Sequence, residues 1–95
     1  MNGLEAMRAF RDSLHQWVYY ITRATHATDV SVTMDGRDVV VFLQLGSMPY
    51  THRFTSMLVY GPIGTRQIRP HQKVCRFADQ VILGALQAYK DSKEK

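Results

Sequence analysis

The chain has 95 residues, with 12 Lys and Arg against 8 Asp and Glu, and a formal charge of +4 with its four histidines neutral. That length suits one compact domain, and the 45% apolar and 21% charged fractions exclude a chain disordered throughout. The longest unbroken apolar run, Val39 to Leu43, is far short of the roughly 20 residues of a membrane-spanning helix, so no membrane partner is expected.

The first element in chain order is an amphipathic helix, Leu4 to about Ala24. Phe10, Leu14, Trp17, Val18 and Ile21 fall within about 100° of one another at 3.6 residues per turn. Arg8, Arg11, His15, Tyr19 and Arg23 line the opposite face. Glu5, Arg8, Arg11 and Asp12 interrupt the place where a signal peptide would carry its apolar core, so none is expected.

The period then changes to two. Val30, Val32 and Met34 alternate with Asp29, Ser31 and Thr33, the pattern of a half-exposed strand. Asp35-Gly36 predicts a tight hairpin of type I′. The returning strand, Arg37 to Leu45, is apolar on both faces, with Val39, Val41 and Leu43 on one and Val40 and Phe42 on the other, which predicts a central position. Gly46-Ser47-Met48-Pro49 reads as a turn. A third strand is expected over Thr51 to Tyr60, with His52, Phe54, Leu58 and Tyr60 on one face.

Gly61-Pro62-Ile63-Gly64 ends that strand, and Pro70 suits the first turn of a second helix. Val74, Phe77, Ala78, Val81, Ile82, Ala85, Leu86 and Tyr89 give this helix its apolar stripe. Gly84 weakens it by about 1 kcal/mol against Ala unless a neighbour packs closely there. The tail at 91–95 alternates in charge and is expected to fray. The fold class is therefore α+β: residues 1–95 form one small α-β-β-β-α domain, a three-stranded antiparallel sheet with two helices on one face. The other sheet face, with Val40 and Phe42, is left for a partner, and a second copy forming a homodimer is one candidate.

Charge is distributed unevenly. From Val39 to Ala78 the chain runs forty residues without an Asp or Glu, while holding His52, Arg53, Arg66, Arg69, His71, Lys73 and Arg76. Five of these, Arg66, Arg69, His71, Lys73 and Arg76, gather around the start of the second helix, where cations are disfavoured by the helix dipole. A cluster placed against that cost points to a bound anion. The bland alternative is a solvated surface whose cations pair with Asp35, Asp38 or Asp79. On the first helix, Arg8, Arg11 and Arg23 interleave with Tyr19, and Tyr20 is close by; rings that stack on bases beside guanidinium groups that hold phosphates suit nucleic acid. Tyr and Arg serve protein interfaces equally well, and Tyr20 joins Val40 and Phe42 as an interface candidate.

His71, Cys75 and Asp79 recur at i, i+4 and i+8 along one helix stripe. The set could make a reactive thiolate or part of a metal site, but zinc wants three or four ligands and only His52 offers another obvious donor, so a structural cysteine is expected. Cys75 is the lone cysteine, which excludes an internal disulfide and points to a reducing, intracellular and cytoplasmic setting. No phosphate-binding loop, dinucleotide fingerprint, nucleophile elbow or zinc-protease motif is present. The expectation is a chain that is not an enzyme, with no catalytic residues, metal or cofactor.

The α-β-β-β-α order resembles the double-stranded RNA-binding domain, in which a glycine-bearing loop leads into a basic helix start; Gly64, Arg69, Lys73 and Arg76 lie in corresponding places. That family's paired lysines are here His71-Gln72-Lys73, and its alanine-rich helix is replaced by Val74-Cys75-Arg76-Phe77. The Val74 and Phe77 spacing also resembles the Alu-RNA-binding subunits of the signal recognition particle. The strand Val39 to Gly46 with the helix Val74 to Leu86 is similar to small proteasome-assembly chaperone subunits. The first two resemblances imply RNA as the partner, and the third implies a protein-binding subunit or assembly factor of a larger complex.

Overall fold

In the computed structural model, which describes residues 3–61, 70 and 72–93, the elements run α1 (Gly3–His15), α2 (Val18–Thr25), β1 (Asp29–Asp35), β2 (Asp38–Leu45), β3 (Met48–Phe54), α3 (Ser56–Tyr60) and α4 (Val74–Lys93). The three strands form one antiparallel sheet in the order β1-β2-β3, so the doubly apolar strand takes the centre. The helices pack on one face of it, and the class is α+β as the periodicities predict.

The long first helix is broken. Gln16 and Trp17 donate backbone bonds to Ser13 and Leu14, a tightened turn that separates α1 from α2. Neither Pro nor Gly marks the break, and nothing in the local sequence accounts for it. The apolar face survives, with Phe10, Leu14 and Ile21 buried together in the core.

Both hairpins close with two residues. Asp35 pairs with Asp38 across Gly36-Arg37, and Leu45 pairs with Met48 across Gly46-Ser47. Only the glycine of each loop has a positive φ, 62° at Gly36 and 66° at Gly46, which is the type II′ requirement rather than the expected type I′. Met48 and Pro49 therefore belong to β3 and not to the turn. Pro49 is tolerated because β3 is, among the described residues, an edge strand with no further neighbour to receive its missing N–H.

The third strand is shorter than expected. After Phe54 the chain turns helical: the Thr55 side chain accepts a hydrogen bond from the Leu58 N–H at 3.3 Å, and the Gly61 N–H returns to the Met57 carbonyl at 2.9 Å. A Thr cap in front and a glycine with positive φ behind outweigh the strand propensity of the residues between them. The consequence is a change of face: Val59 is buried, whereas Leu58, expected beside Phe54 in the core, is 61% exposed. The Tyr60 hydroxyl then donates to the Ala6 carbonyl at 2.8 Å and ties this turn to α1.

The core lies between sheet and helices. Phe10 of α1, Phe54 of β3 and Phe77 of α4 meet edge to face, with ring centroids 5.1 to 5.5 Å apart. Val39, Val41, Leu43 and Leu45 of β2 are buried beneath them. α4 begins at Val74 and continues through Lys93, past the point where fraying was expected. Leu86, counted in its apolar stripe, is instead 41% exposed. None of the helices among the described residues is long and apolar enough to cross a membrane.

Candidate anion-binding groove between α2 and α4

The basic residues divide by what they touch. Arg11 is paired with its neighbour Asp12 at 2.9 Å, and Arg8 is exposed on the same helix. On α2 the Arg23 guanidinium lies 5.7 Å from the centroid of the Tyr19 ring, and Tyr19 is 73% exposed. Lys73 and Arg76 stand at the start of α4, joined by a backbone bond from the Arg76 N–H to the Lys73 carbonyl at 2.9 Å. Arg66, Arg69 and His71 lie outside the described residues.

Of the carboxylates that could have paired with this cluster, Asp35 and Asp38 are held by another residue, and Asp79, which lines the same groove as Arg76, makes no ion pair with it. Asp35 and Asp38 face each other across the first hairpin, and both are held by Arg53 of β3, at 2.6 and 2.8 Å. Asp79 accepts the Tyr20 hydroxyl at 3.3 Å across the α2–α4 contact. The charge of Asp79, together with that hydrogen bond, pushes the Tyr20 phenol above its ordinary value, so it stays protonated. Among the described residues neither Lys73 nor Arg76 has a carboxylate partner.

Around this bond the two helices leave a groove of about 520 Å³, lined by Tyr20, Gln72, Arg76, Asp79, Gln80, Ile82 and Leu83. Gln72, Lys73 and Arg76 line an adjoining recess. Gln80 donates its side-chain amide to the Gln72 carbonyl oxygen at 3.2 Å, so the two carboxamides hold one another in place. Tyr20 packs against Trp17, ring edge to ring face with centroids 5.7 Å apart, and is 46% exposed. The lining thus has a carbon part, Tyr20 with Ile82 and Leu83, and a polar part, Arg76 with two carboxamides and the Asp79 carboxylate, and every residue of it but Tyr20 lies on α4 or just before it.

The sequence signals are only partly gathered. Tyr20 and Arg76 come together, and Tyr19 and Arg23 pair with each other; Arg8 and Arg11 do not line the groove. Leu83, which is 67% exposed, was missed, although a leucine seven residues after Arg76 on the polar side of an amphipathic helix is the available clue. Gln72 and Gln80 carry no such clue. Val40 and Phe42 point away from the helices, half-buried and framed by Thr33 and Arg53 on one rung and Ser31 and Thr51 on the next. Tyr20 therefore belongs to a different surface from Val40 and Phe42, and the three do not form one interface.

Of the expected cysteine stripe, Cys75 is half-buried, Asp79 accepts the Tyr20 hydroxyl, and His71 lies outside the described residues. Among the described residues no group of three or more His, Cys, Asp or Glu side chains is placed to hold a metal. A second recess of about 270 Å³, lined by Thr25, His26, Leu45, Gly46, Leu86 and Tyr89, sits near the carboxyl ends of α2 and β2. Comparison of the chain with protein-family models, curated proteins and solved structures finds no match.

Proposed function

We propose that this chain is a non-catalytic binding module that holds RNA, or another polyanion, on its helix side. The observation that carries the reading is Arg76 beside the exposed Tyr20 ring in an open groove, with Lys73 in the adjoining recess and neither cation paired with a carboxylate among the described residues. Unpaired cations at a helix start destabilise the free protein slightly, and a phosphate removes that cost. Tyr19 with Arg23 extends the same combination of ring and guanidinium along α2. Arg66, Arg69 and His71, adjacent in sequence, and Arg8 and Arg11 on α1 belong to the same proposal as further phosphate contacts. An intracellular, reducing setting accords with the single Cys75.

Binding to a labelled RNA strand across a series of salt concentrations tests this. Affinity falls steeply with salt, and Lys73→Ala and Arg76→Ala each flatten the dependence. Binding that is absent, or indifferent to salt and to both substitutions, overturns the reading.

A second reading is a protein-interaction subunit or assembly factor, or a homodimer, built on the sheet face opposite the described helices, where Val40 and Phe42 stand outward. Its mark is an association insensitive to salt and lost in Val40→Asp or Phe42→Asp, read by sedimentation.

A further inference from the structure

We infer that the α2–α4 groove is a nucleobase site, taking one unpaired RNA base that bears an exocyclic amine, stacked on the Tyr20 ring with an adjoining phosphate on Arg76 and Lys73. The inference rests on the polyanion reading and adds what that reading leaves open: single strand against duplex, and one base against another.

A site for phosphate alone needs only cations. This groove holds more. Tyr20, Ile82 and Leu83 supply a flat ring and aliphatic carbon, which a charged, strongly hydrated phosphate does not seek and a base face does. Its volume of about 520 Å³ falls inside the range of roughly 300–1,000 Å³ typical of small-molecule sites. Base–aromatic stacking requires a base that is free of its own stack, and an A-form duplex offers side chains only a shallow minor groove and its phosphates. The carbon wall therefore selects single strands.

The polar wall selects among bases. Tyr20 occupies Oδ1 of Asp79, and the carboxylate has a second oxygen with which to accept an amine proton. Carboxylates accept from the cytosine N4 amine, whereas uracil presents an acceptor, O4, at the same position. The Asp79 charge also disfavours a bare phosphate in this groove and favours an amine. Gln72 and Gln80, bonded to each other, keep one amide donor group and one carbonyl acceptor for the remaining base edge. Cation, ring, amides and carboxylate thus supply a partner for each part of a nucleotide.

The test is fluorescence anisotropy with three labelled probes at one low salt concentration: oligocytidylate and oligouridylate of equal length, and a mixed-sequence RNA duplex. Oligocytidylate binds about fivefold tighter than oligouridylate, the scale of one net hydrogen bond, and the duplex binds more weakly than oligocytidylate. Tyr20→Ala weakens oligocytidylate about tenfold, at the lower part of the range for one stacked base, while Tyr20→Phe, which keeps the ring, retains binding. Asp79→Asn removes the preference for cytosine. Circular dichroism of each variant verifies that the fold is kept. Equal affinity for the two homopolymers, duplex binding as tight as the single strand, or indifference to Tyr20→Ala overturns the base site while leaving the polyanion reading in place. Failure of all three probes to bind overturns both.

Discussion

The Tyr50 hydroxyl occupies the space that a β-carbon at Gly84 would need. The phenol carbon that bears the hydroxyl lies 3.3 Å from that position, and His52 Nδ1 lies 3.5 Å from it. The glycine that weakens α4 by sequence is thus the residue that lets the helix settle onto β3, where Tyr50 and His52 are bonded at 2.8 Å.

Gly84→Ala is therefore expected to destabilise the protein, although Ala is the better helix former by about 1 kcal/mol. The added methyl must displace Tyr50 and break its bond to His52, and overpacking of this kind costs about 1–3 kcal/mol. Tyr50→Phe removes the offending oxygen, so the double variant is more stable than the sum of the two single effects predicts, by about 1 kcal/mol. Urea unfolding of the four proteins measures that coupling; strict additivity contradicts the packing described.

His52 makes stability depend on pH. Its burial pushes the imidazole below its ordinary 6.5. Above that value both folded and unfolded forms are neutral. As pH falls through and below it, the unfolded chain takes up a proton that the folded chain resists, so the folded state loses stability toward acid. Urea midpoints between about pH 7.5 and 5.5 should fall for the native sequence, and less for His52→Gln, which cannot titrate. An equal fall in both proteins assigns the effect to other groups.

Arg53 holds two carboxylates that the hairpin forces together, Asp35 and Asp38. Arg53→Ala leaves like charges opposite one another and lowers the melting temperature. Because the cause is repulsion, the loss shrinks when Asp38→Asn is added, and it shrinks in high salt. Thermal melts of the single and double variants at two salt concentrations measure this, and a loss that ignores both Asp38→Asn and salt argues for packing by the arginine stem instead.

Much of the fold is legible because it follows period. Val39, Val41 and Leu43 alternate with Val40 and Phe42, and this places β2 at the centre; Phe10, Leu14 and Ile21 recur at helical spacing and go to the core. What escapes is decided by short local contests or by distant partners. Thr55 and Gly61 turn a strand-prone segment into α3 through cap bonds that propensity does not weigh. Leu58 and Val59 exchange roles as a result. The groove is still less legible, since Tyr20 and Asp79 are 59 residues apart and only packing of α2 on α4 joins them. The basic cluster shows in the sequence, but the pairing of Asp35 and Asp38 with Arg53 is one that no spacing announces.

The most direct measurement of the central claim is the salt dependence of RNA binding by the native chain and by a Lys73→Ala/Arg76→Ala double variant. Each phosphate contact on a single strand contributes about −0.7 to the slope of log affinity against log salt, so loss of two contacts flattens the slope by roughly 1.4. That result supports Lys73 and Arg76 as the phosphate contacts of the groove. An unchanged slope in the double variant contradicts it.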